Sequence, residues 1–246
     1  MWKLLYKLAS PYYFYEQSAR WVSWCLALSV LFIGLGLMWG LFFAPSDYQQ
    51  GDAFRIIYVH VPCAFLSIGI YVYLGFLALL LLVWRIKMAG IMLRVGAEIG
   101  ASMSLLALLT GAIWGKPMWG AWWVWDARLT SELILFFLYV SIVVLARAYE
   151  NQSSSDRLVA ILTLVGVADL PIIHYSVYWW NTLHQGATIT VFSKPKIDVL
   201  MLYPLLVTLV GFGLFCAAIW LKKERHLLLW RSRRQLWVQA LVERGL

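Results

Sequence analysis

The chain has 246 residues, a length that allows one or two ordinary domains. Hydrophobic residues make up 63% of it and charged residues 13%, whereas a soluble domain is roughly 45–50% apolar and about 25% charged. A soluble fold of this size cannot bury so much apolar surface. The composition therefore excludes a soluble globular protein, a disordered chain and a free-standing nucleic-acid binder.

Six apolar stretches are long enough to cross the hydrocarbon core of a membrane, which takes about 20 residues in a helix. We predict an α-helical, polytopic membrane protein with spans at residues 21–43, 62–84, 95–113, 129–146, 158–174 and 199–221. Three spans carry one acid each, namely Glu98, Glu132 and Asp169. An acid at membrane depth is costly, so Asp169 is interpreted as a protonated acid paired with a neighbouring span, and Glu98 as snorkelling to the membrane surface.

The excess of Lys and Arg over Asp and Glu gives the chain a net charge of +8. The distribution of these basic residues along the chain predicts the orientation of the spans. With the N-terminus in the cytoplasm, the inside segments hold 15 of the 20 basic residues, and the outside segments hold Arg55, Lys116, Arg128, Lys194 and Lys196. Cytoplasmic loops are enriched in Lys and Arg, so both termini are predicted to be cytoplasmic. Lys3 and Lys7 precede span one without a small-residue cleavage site, so we expect no removable signal peptide.

Residues 1–221 are predicted to form one six-helix membrane domain, and residues 222–246 a basic cytoplasmic tail. Leucine and tryptophan interleave with the basic residues of the tail. This pattern is typical of an amphipathic helix on the anionic inner leaflet, although a solvated basic tail explains the charges equally well. The outside loops, at residues 44–61, 114–128 and 175–198, carry most of the unusual chemistry.

The second outside loop is rich in tryptophan. Five rings lie within twelve residues: Trp114, Trp119, Trp122, Trp123 and Trp125. An interfacial aromatic belt needs only one or two rings per helix end. Gly115, Pro117 and Gly120 are expected to break any long helix here and to hold the rings on turns. Several flat apolar faces beside water suit a large planar ligand, so we favour a binding platform over a belt.

Three charged residues follow the tryptophans: Asp126, Arg128 and Glu132. Asp126 is placed to cap the N-terminus of span four, where a carboxylate also suits the helix dipole. Glu132 follows Arg128 by four residues, so the two side chains could pair on one helix face. These local roles explain the residues as well as a direct ligand contact would.

Three of the four histidines fall on the same side as the tryptophans. His60 precedes span two, His184 lies in the third outside loop, and His174 ends span five. One histidine at a membrane boundary is usually only an interfacial residue. Two histidines from different loops beside an aromatic platform, however, match the needs of haem, whose iron takes axial nitrogen ligands on both faces of the ring. His174 competes for a ligand role, although it could instead serve helix packing.

Several kinds of chemistry are excluded by missing motifs. There is no CxxCH, so haem is not attached covalently as in c-type cytochromes. Cys25, Cys63 and Cys216 lie far apart in apolar runs, which indicates membrane cysteines rather than a redox pair or a zinc site. No P-loop, GxSxG or HExxH motif is present, so any ATPase of the pathway is expected on another chain.

Longer stretches of the sequence resemble a known family. Residues 114–133, WGKPMWGAWWVWDARLTSEL, resemble the WWD domain of haem-handling membrane proteins. Residues 44–62 (APSDYQQG…RIIYVHVP) and 170–186 (LPIIHYSVYWWNTLHQG) are similar to one family in particular, the CcmC family of bacterial cytochrome c maturation. The resemblance covers roughly residues 10–225, and the length and the six-span layout also match.

The resemblance implies a protein that is not an enzyme and that binds haem at the periplasmic face of the bacterial inner membrane. It implies haem b, bound non-covalently, and delivery to the haem chaperone CcmE in a complex with CcmA (the ATPase), CcmB and CcmD. The family's axial ligands match His60 and His184. Its tryptophan platform matches Trp114, Trp119, Trp122, Trp123 and Trp125, together with Asp126. Arg55 and Arg128 are assigned to the haem propionates or to chaperone contact from charge and sidedness alone.

Two other functions stay open. The first is a transmembrane transporter of haem or another amphipathic substrate, whose signature would be polar residues lining a path through the spans. Glu98 and Asp169, with scattered Ser and Thr, are too few polar residues to line such a path, so a haem binder at the outer face is favoured. The second is a membrane anchor for the ATPase.

Overall fold

The computed structural model describes residues 10–149, 151–180, 182–184 and 197–243. These residues are almost entirely helical and contain no β-strand, which confirms the predicted fold class. The helices are α1 (Pro11–Met38), α2 (Ile57–Trp84), α3 (Lys87–Trp119), α4 (Ala127–Ala148), α5 (Gln152–Gly166), α6 (Asp169–Trp179), α7 (Val199–Arg231) and α8 (Leu236–Glu243). A π-helical turn, Trp39–Phe43, prolongs α1, and a 3-10 turn, Asp52–Ile56, leads into α2.

Parts of several predictions lie outside the described residues. They are the basic residues Lys3, Lys7, Lys194, Lys196 and Arg244, residues 185–196 of the third outside loop, and residues 244–246 of the tail.

Six helical stretches are apolar and long enough to cross a membrane, as predicted. They are Pro11–Phe43, Asp52–Trp84, Lys87–Trp119, Ala127–Ala148, Gln152–Trp179 and Val199–Arg231. Four of them have 33 residues, which is about 50 Å of helix for a hydrocarbon core of about 30 Å. The predicted spans were therefore too short, because polar residues continue the helices beyond the apolar core.

Two predictions about the helix ends are wrong. The helix α3 does not break at Gly115 or Pro117 but runs through both to Trp119. Proline already has a helical φ and removes only one hydrogen bond here, close to the helix end, so the helix tolerates it. His60 is not in the loop before span two but in the first turn of α2, and Pro62 follows it inside the helix.

Span five is two helices rather than one, since α5 ends at Gly166 and α6 begins at Asp169. Asp169 was predicted to pair with a neighbouring span. Its Oδ2 oxygen does not do so, because it is buried and has no hydrogen-bond partner among the described residues. Glu98 does more than snorkel, because it forms ion pairs with Arg147 (2.9 Å) and Lys223.

The helices α2 and α3 form the centre of the bundle. The helix α2 packs on α3, α5 and α7, and α3 also packs on α4 and α7. Buried side chains of α2 to α7 form the main core, with Tyr71, Leu74, Leu93 and Tyr139 fully buried. The helix α1 is held mainly along α7. Gly36 allows this close approach, since a Cβ there would lie 2.9 Å from the backbone nitrogen of Thr208.

The antiparallel spans gather the predicted outside loops at one end of the bundle, which we call the tryptophan end. Its described residues are 44–56, 114–128, 180, 182–184, 197 and 198. At the opposite end the carboxylate of Asp156 binds Arg94 (2.6 Å) and Arg231 (2.9 Å), which joins α3, α5 and α7. Beyond α7, Trp237 of α8 packs against Tyr12 and Tyr15 of α1, at ring distances of 5.7 and 5.9 Å.

Candidate functional site

The tryptophan-rich segment has a helical and an irregular half. Trp114 and Trp119 lie in the last turns of α3, and Gly120 ends the helix with a left-handed φ of 74°. A residue with a Cβ adopts this conformation with difficulty, so glycine suits the sharp exit. The irregular half holds Trp122, Trp123 and Trp125.

The rings of the irregular half lie beside solvent or lipid. Trp122 is 58% exposed and Trp125 is 78% exposed. Trp123 is half-buried and meets Trp125 edge-on at 5.5 Å. The indole nitrogen of Trp123 is buried and has no hydrogen-bond partner in the part of the chain that the structure describes. A buried N–H donor of this kind is normally satisfied, so this atom has capacity for an acceptor from outside the described residues.

Trp114 joins three elements of the tryptophan end. Its indole N–H donates to the side-chain oxygen of Gln50 in the first loop, at 2.9 Å. Its ring meets Phe54 edge-on at 5.8 Å and His60 edge-on at 5.5 Å. Edge-to-face contacts of this kind contribute roughly 0.5–1.5 kcal/mol beyond area burial. Trp114 therefore places the His60 ring relative to α3.

Trp119 lies beside His184, the second predicted ligand, as Trp114 lies beside His60. Its ring and the His184 ring are 6.5 Å apart, with planes tilted by 57°. Gly115 makes room for this indole, since a Cβ there would lie 2.9 Å from the Trp119 ring. The glycine that was expected to break the helix instead lets Trp119 fold back over α3.

Asp126 caps α4, as predicted, and also accepts a hydrogen bond from the third outside loop. One carboxylate oxygen accepts the backbone N–H of Leu129 at 2.8 Å and so caps α4. The other accepts the hydroxyl of Thr182. The hydroxyl oxygen of Thr182 in turn accepts the backbone N–H of His184 at 3.0 Å. The cap of α4 is thereby tied to the segment that carries His184.

The two histidines, 124 residues apart in the sequence, thus lie at the same end of the bundle, each beside a different tryptophan of α3. They are close enough to interact electrostatically, and Arg128 is within range of His60 as well. Both imidazoles are half-buried. The site therefore offers two imidazoles, several indole faces and one nearby cation.

Comparisons with known proteins identify the family. A family model described as CcmC, heme exporter protein C, matches residues 4–239. This chain belongs to the heme exporter protein C family. The relative from Escherichia coli strain K12 is 48% identical over 242 residues, which are 98% of each chain. The relative from Haemophilus influenzae is 47% identical over 243 residues, 99% of each chain. The relative from Bradyrhizobium diazoefficiens is 43% identical over 232 residues, 94% of this chain and 88% of its own. The resemblance seen in the sequence is confirmed.

The cations of this heme exporter protein C family member are partly engaged. Arg55 pairs with Asp52 at 3.0 Å and donates to the carbonyl of Gly40 at 2.8 Å. Arg128 donates to the carbonyl of Ile173 at 2.8 Å, and Lys116 to that of Gly120 at 3.0 Å. Each side chain therefore helps to hold the tryptophan end together, whatever else it binds.

Arg128 and Glu132 are near enough to attract each other, but no direct ion pair joins them among the described residues. The carboxylate of Glu132 instead accepts hydrogen bonds from Ser67 and Ser104, both at 2.9 Å. Those partners lie on α2 and α3, so Glu132 links three spans inside the membrane. Sequence spacing along one helix could not reveal partners on two others.

His174 does not join the tryptophan cluster. It lies exposed on α6, and its recorded ring contact is with its neighbour Tyr175, at 4.8 Å. Tyr175 stacks on Trp179 at 5.3 Å, and Trp179 meets Trp180 at 5.8 Å, which forms an aromatic row that we did not predict. Gln50 and Thr182 were also missed, because common polar residues in loops carry no signal of their own.

The arrangement suits a planar metal-bearing ligand better than a bare metal ion. Among the described residues no group of three or more His, Cys, Asp or Glu side chains could hold a metal ion. A macrocycle supplies its own equatorial ligands and needs only axial donors from the protein, which two imidazoles can provide. The donor set therefore fits haem.

Proposed function

We propose that this chain binds haem non-covalently, as haem b, at the tryptophan end, with His60 and His184 as the axial ligands of the iron. One observation carries the proposal: each imidazole contacts a different tryptophan of one segment, His60 with Trp114 and His184 with Trp119. The relatives, named heme exporter protein C, support a role in haem handling for cytochrome c maturation.

The remaining indoles form the platform in this proposal. Trp114 and Trp119 hold the imidazoles, while Trp122, Trp123 and Trp125 offer apolar faces to the ring. Asp126 fixes the segment of His184, and Arg128 lies near enough to balance propionate charge. Arg55 donates hydrogen bonds to Asp52 and to the carbonyl of Gly40, so it supports the site by holding the first loop in place.

Binding through two imidazoles suits a transfer function. Haem is the cargo here, and an axial imidazole bond can be replaced by a ligand of the next protein, whereas a covalent link could not. The exposed faces of Trp122 and Trp125 leave an approach to the bound haem. We propose that the haem chaperone CcmE approaches there and takes the haem for c-type cytochrome assembly.

The tryptophan end faces the periplasm of a bacterial inner membrane in this proposal, and both termini are cytoplasmic. The distribution of Lys and Arg supports this orientation. The partners are CcmA, CcmB and CcmD in a membrane complex. This chain binds and transfers haem without being an enzyme, and ATP hydrolysis by CcmA releases the loaded chaperone.

The packing favours an acceptor at the outer face over a transmembrane transporter. Three of the polar side chains at depth, Ser67, Ser104 and Glu132, hydrogen-bond to one another and are buried between α2, α3 and α4. They therefore expose little polar surface along a path, and Asp169 is the acid at depth whose buried oxygen has no partner among the described residues. Haem supplied only from the periplasmic side should therefore load the protein. A strict need for cytoplasmic haem would instead favour transport.

The proposed ligands are tested by absorption spectra of the detergent-purified protein. The wild type should show a low-spin, bis-histidine haem spectrum, and the double variant His60→Ala/His184→Ala should lose it. His174→Ala is the matched control, since it removes an imidazole from the same end but outside the cluster, and it should keep the spectrum. Loss of haem in His174→Ala with retention in His184→Ala would contradict the ligand assignment.

A further inference from the structure

We propose that Thr110 is a positioning residue for His60, whose hydroxyl holds the imidazole proton on Nδ1 and keeps Nε2 available for the iron. This inference rests on the proposed function, in which His60 is an axial ligand. Thr110 lies on α3 and His60 on α2, and the Thr110 hydroxyl oxygen is 3.0 Å from Nδ1 of His60. Threonine in an apolar helix gives no sequence signal for such a role.

The direction of this hydrogen bond follows from the other two contacts of the hydroxyl, both with backbone carbonyls of α3. A threonine hydroxyl has one proton to donate and two lone pairs with which to accept. Its oxygen lies 2.6 Å from the carbonyl oxygen of Leu106 and 3.2 Å from that of Ala107, both about one turn earlier on α3. A carbonyl can only accept, so the hydroxyl proton is committed to these two oxygens, of which that of Leu106 is nearer. Towards His60 the hydroxyl is therefore the acceptor, and Nδ1 must carry the proton.

This arrangement presets the ligand atom. A neutral imidazole carries one N–H, so a proton on Nδ1 leaves the lone pair on Nε2. Metal-bound histidines commonly donate their other ring N–H to a neighbouring acceptor, which fixes the tautomer and the ring orientation. The Thr110 hydroxyl supplies this acceptor from the protein itself, beside the backbone carbonyl of Ala107, which is also within reach of the His60 ring.

The ring is held on other sides by the same part of α3. A Cβ at Gly111 would lie 3.0 Å from Cε1 of His60, so the absence of a side chain lets the ring approach the helix. Trp114 meets the ring edge-on at 5.5 Å. Thr110, Gly111 and Trp114 are spaced at i, i+1 and i+4, which brings all three to one side of the helix. One patch of α3 therefore sets which nitrogen of the imidazole carries the proton, how closely the ring approaches the helix, and how the ring is tilted.

A local role for Thr110 makes a different prediction. Threonine in a helix often bonds only to the carbonyl one turn earlier, with no effect on other residues. Thr163 on α5 provides this case, since its buried hydroxyl donates to the carbonyl of Val159 at 2.8 Å and no hydrogen bond joins it to a histidine among the described residues. Thr163→Val is therefore the matched control for Thr110→Val.

The experiment compares Thr110→Val, Thr110→Ser and Thr163→Val as purified full-length proteins loaded with haem. Haem affinity and the midpoint potential of the bound iron are measured. Thr110→Val should weaken haem binding about 10- to 100-fold, the usual effect of losing such a partner. The potential should rise, because an imidazole without an acceptor at Nδ1 donates less electron density to ferric iron. Thr110→Ser should restore both values, and Thr163→Val should leave them unchanged.

Several outcomes would overturn the inference. Wild-type affinity and potential in Thr110→Val, with haem lost in His60→Ala, would refute the positioning role and leave the proposed function intact. Equal losses in Thr163→Val would refute it as well, because they would reflect a general loss of fold. A wild-type spectrum in His60→Ala would remove the ligand and this inference together.

Thr110→Ala also removes the hydroxyl and takes the place of Thr110→Val in this comparison if the latter does not fold. Gly111→Ala tests separately whether α3 sets the position of the His60 ring. The added methyl would press on Cε1 of His60 and should also weaken binding and shift the potential. Unchanged values in a folded Gly111→Ala variant would contradict the idea that α3 sets the ring.

Discussion

The hydroxyl of Thr182 donates a hydrogen bond to the carboxylate of Asp126, 56 residues earlier in the chain. The same carboxylate caps α4 through Leu129, and the same hydroxyl accepts the backbone N–H of His184. One short chain of hydrogen bonds thus connects the end of the tryptophan segment to a predicted haem ligand. Asp126 therefore has a structural role, because it joins α4 to the segment that carries His184.

Thr182→Val removes the hydroxyl from this chain while keeping the shape of the side chain. We expect weaker haem binding, because the segment that carries His184 loses its tie to α4. The measurement is haem retention during gel filtration, followed by the absorption spectrum. Thr182→Ser should behave like the wild type, and equal retention in the Val and wild-type proteins would show that the tie does not matter for binding.

Asp126→Ala should cost both stability and binding. Losing an N-cap side chain costs about 1 kcal/mol in helix or protein stability. Asp198 caps α7 in the same way, accepting the N–H of Leu200 at 2.7 Å, and so provides the control. Thermal unfolding in detergent should show a similar loss for Asp126→Ala and Asp198→Ala, but only the former should lower haem affinity. A normal affinity in Asp126→Ala would contradict the proposed link to His184.

Gly36→Val should separate α1 from α7. A Cβ at Gly36 would lie 2.9 Å from the backbone nitrogen of Thr208, so a larger side chain cannot fit without moving the helix. Overpacking of this kind costs about 1–3 kcal/mol. Gly34 lies half a turn away, with nothing within 4 Å of its Cβ position. Gly34→Val should therefore unfold almost as the wild type does, and equal unfolding temperatures for the two variants would contradict the packing argument.

Trp122→Ala/Trp123→Ala should separate haem transfer from assembly. These rings belong to the proposed platform and are not part of the core clusters, so their loss should abolish haem delivery to CcmE while the complex with CcmA, CcmB and CcmD still forms. Co-purification measures assembly, and haem on the chaperone measures transfer. Trp84→Ala, which removes a 65%-exposed ring at the opposite end, is the control and should leave both intact. Normal transfer by the double variant would favour the anchor function.

The six spans could be predicted because each must be apolar for about 20 residues whatever its neighbours are. Their ends could not, because a helix continues past the apolar core wherever its neighbours support it. Gly115 and Pro117 illustrate this, since they look like helix breakers but lie inside α3, where Trp119 packs over the glycine. His60 was likewise placed in a loop, although it lies in the first turn of α2.

Local chemistry was predictable where the partner is near in sequence, as in the cap that Asp126 forms for α4. It failed where the partner is distant. The spacing allows Glu132 to pair with Arg128 on its own helix, but its hydrogen bonds are with serines of α2 and α3. An intramembrane carboxylate takes whichever polar group the packing brings closest, and spacing along one helix does not contain that information.

By itself, the sequence determined the class of protein, its six spans and the residue types of the site, since these depend on composition and on local patterns. It also determined the family, through the stretch from Trp114 to Leu133 and its flanking motifs. Only the tertiary structure decided that His60 meets Trp114 and Thr110, and that His184 meets Trp119 and is tied to Asp126. Contacts between residues far apart in the chain follow from how the helices pack, and packing depends on all of them at once.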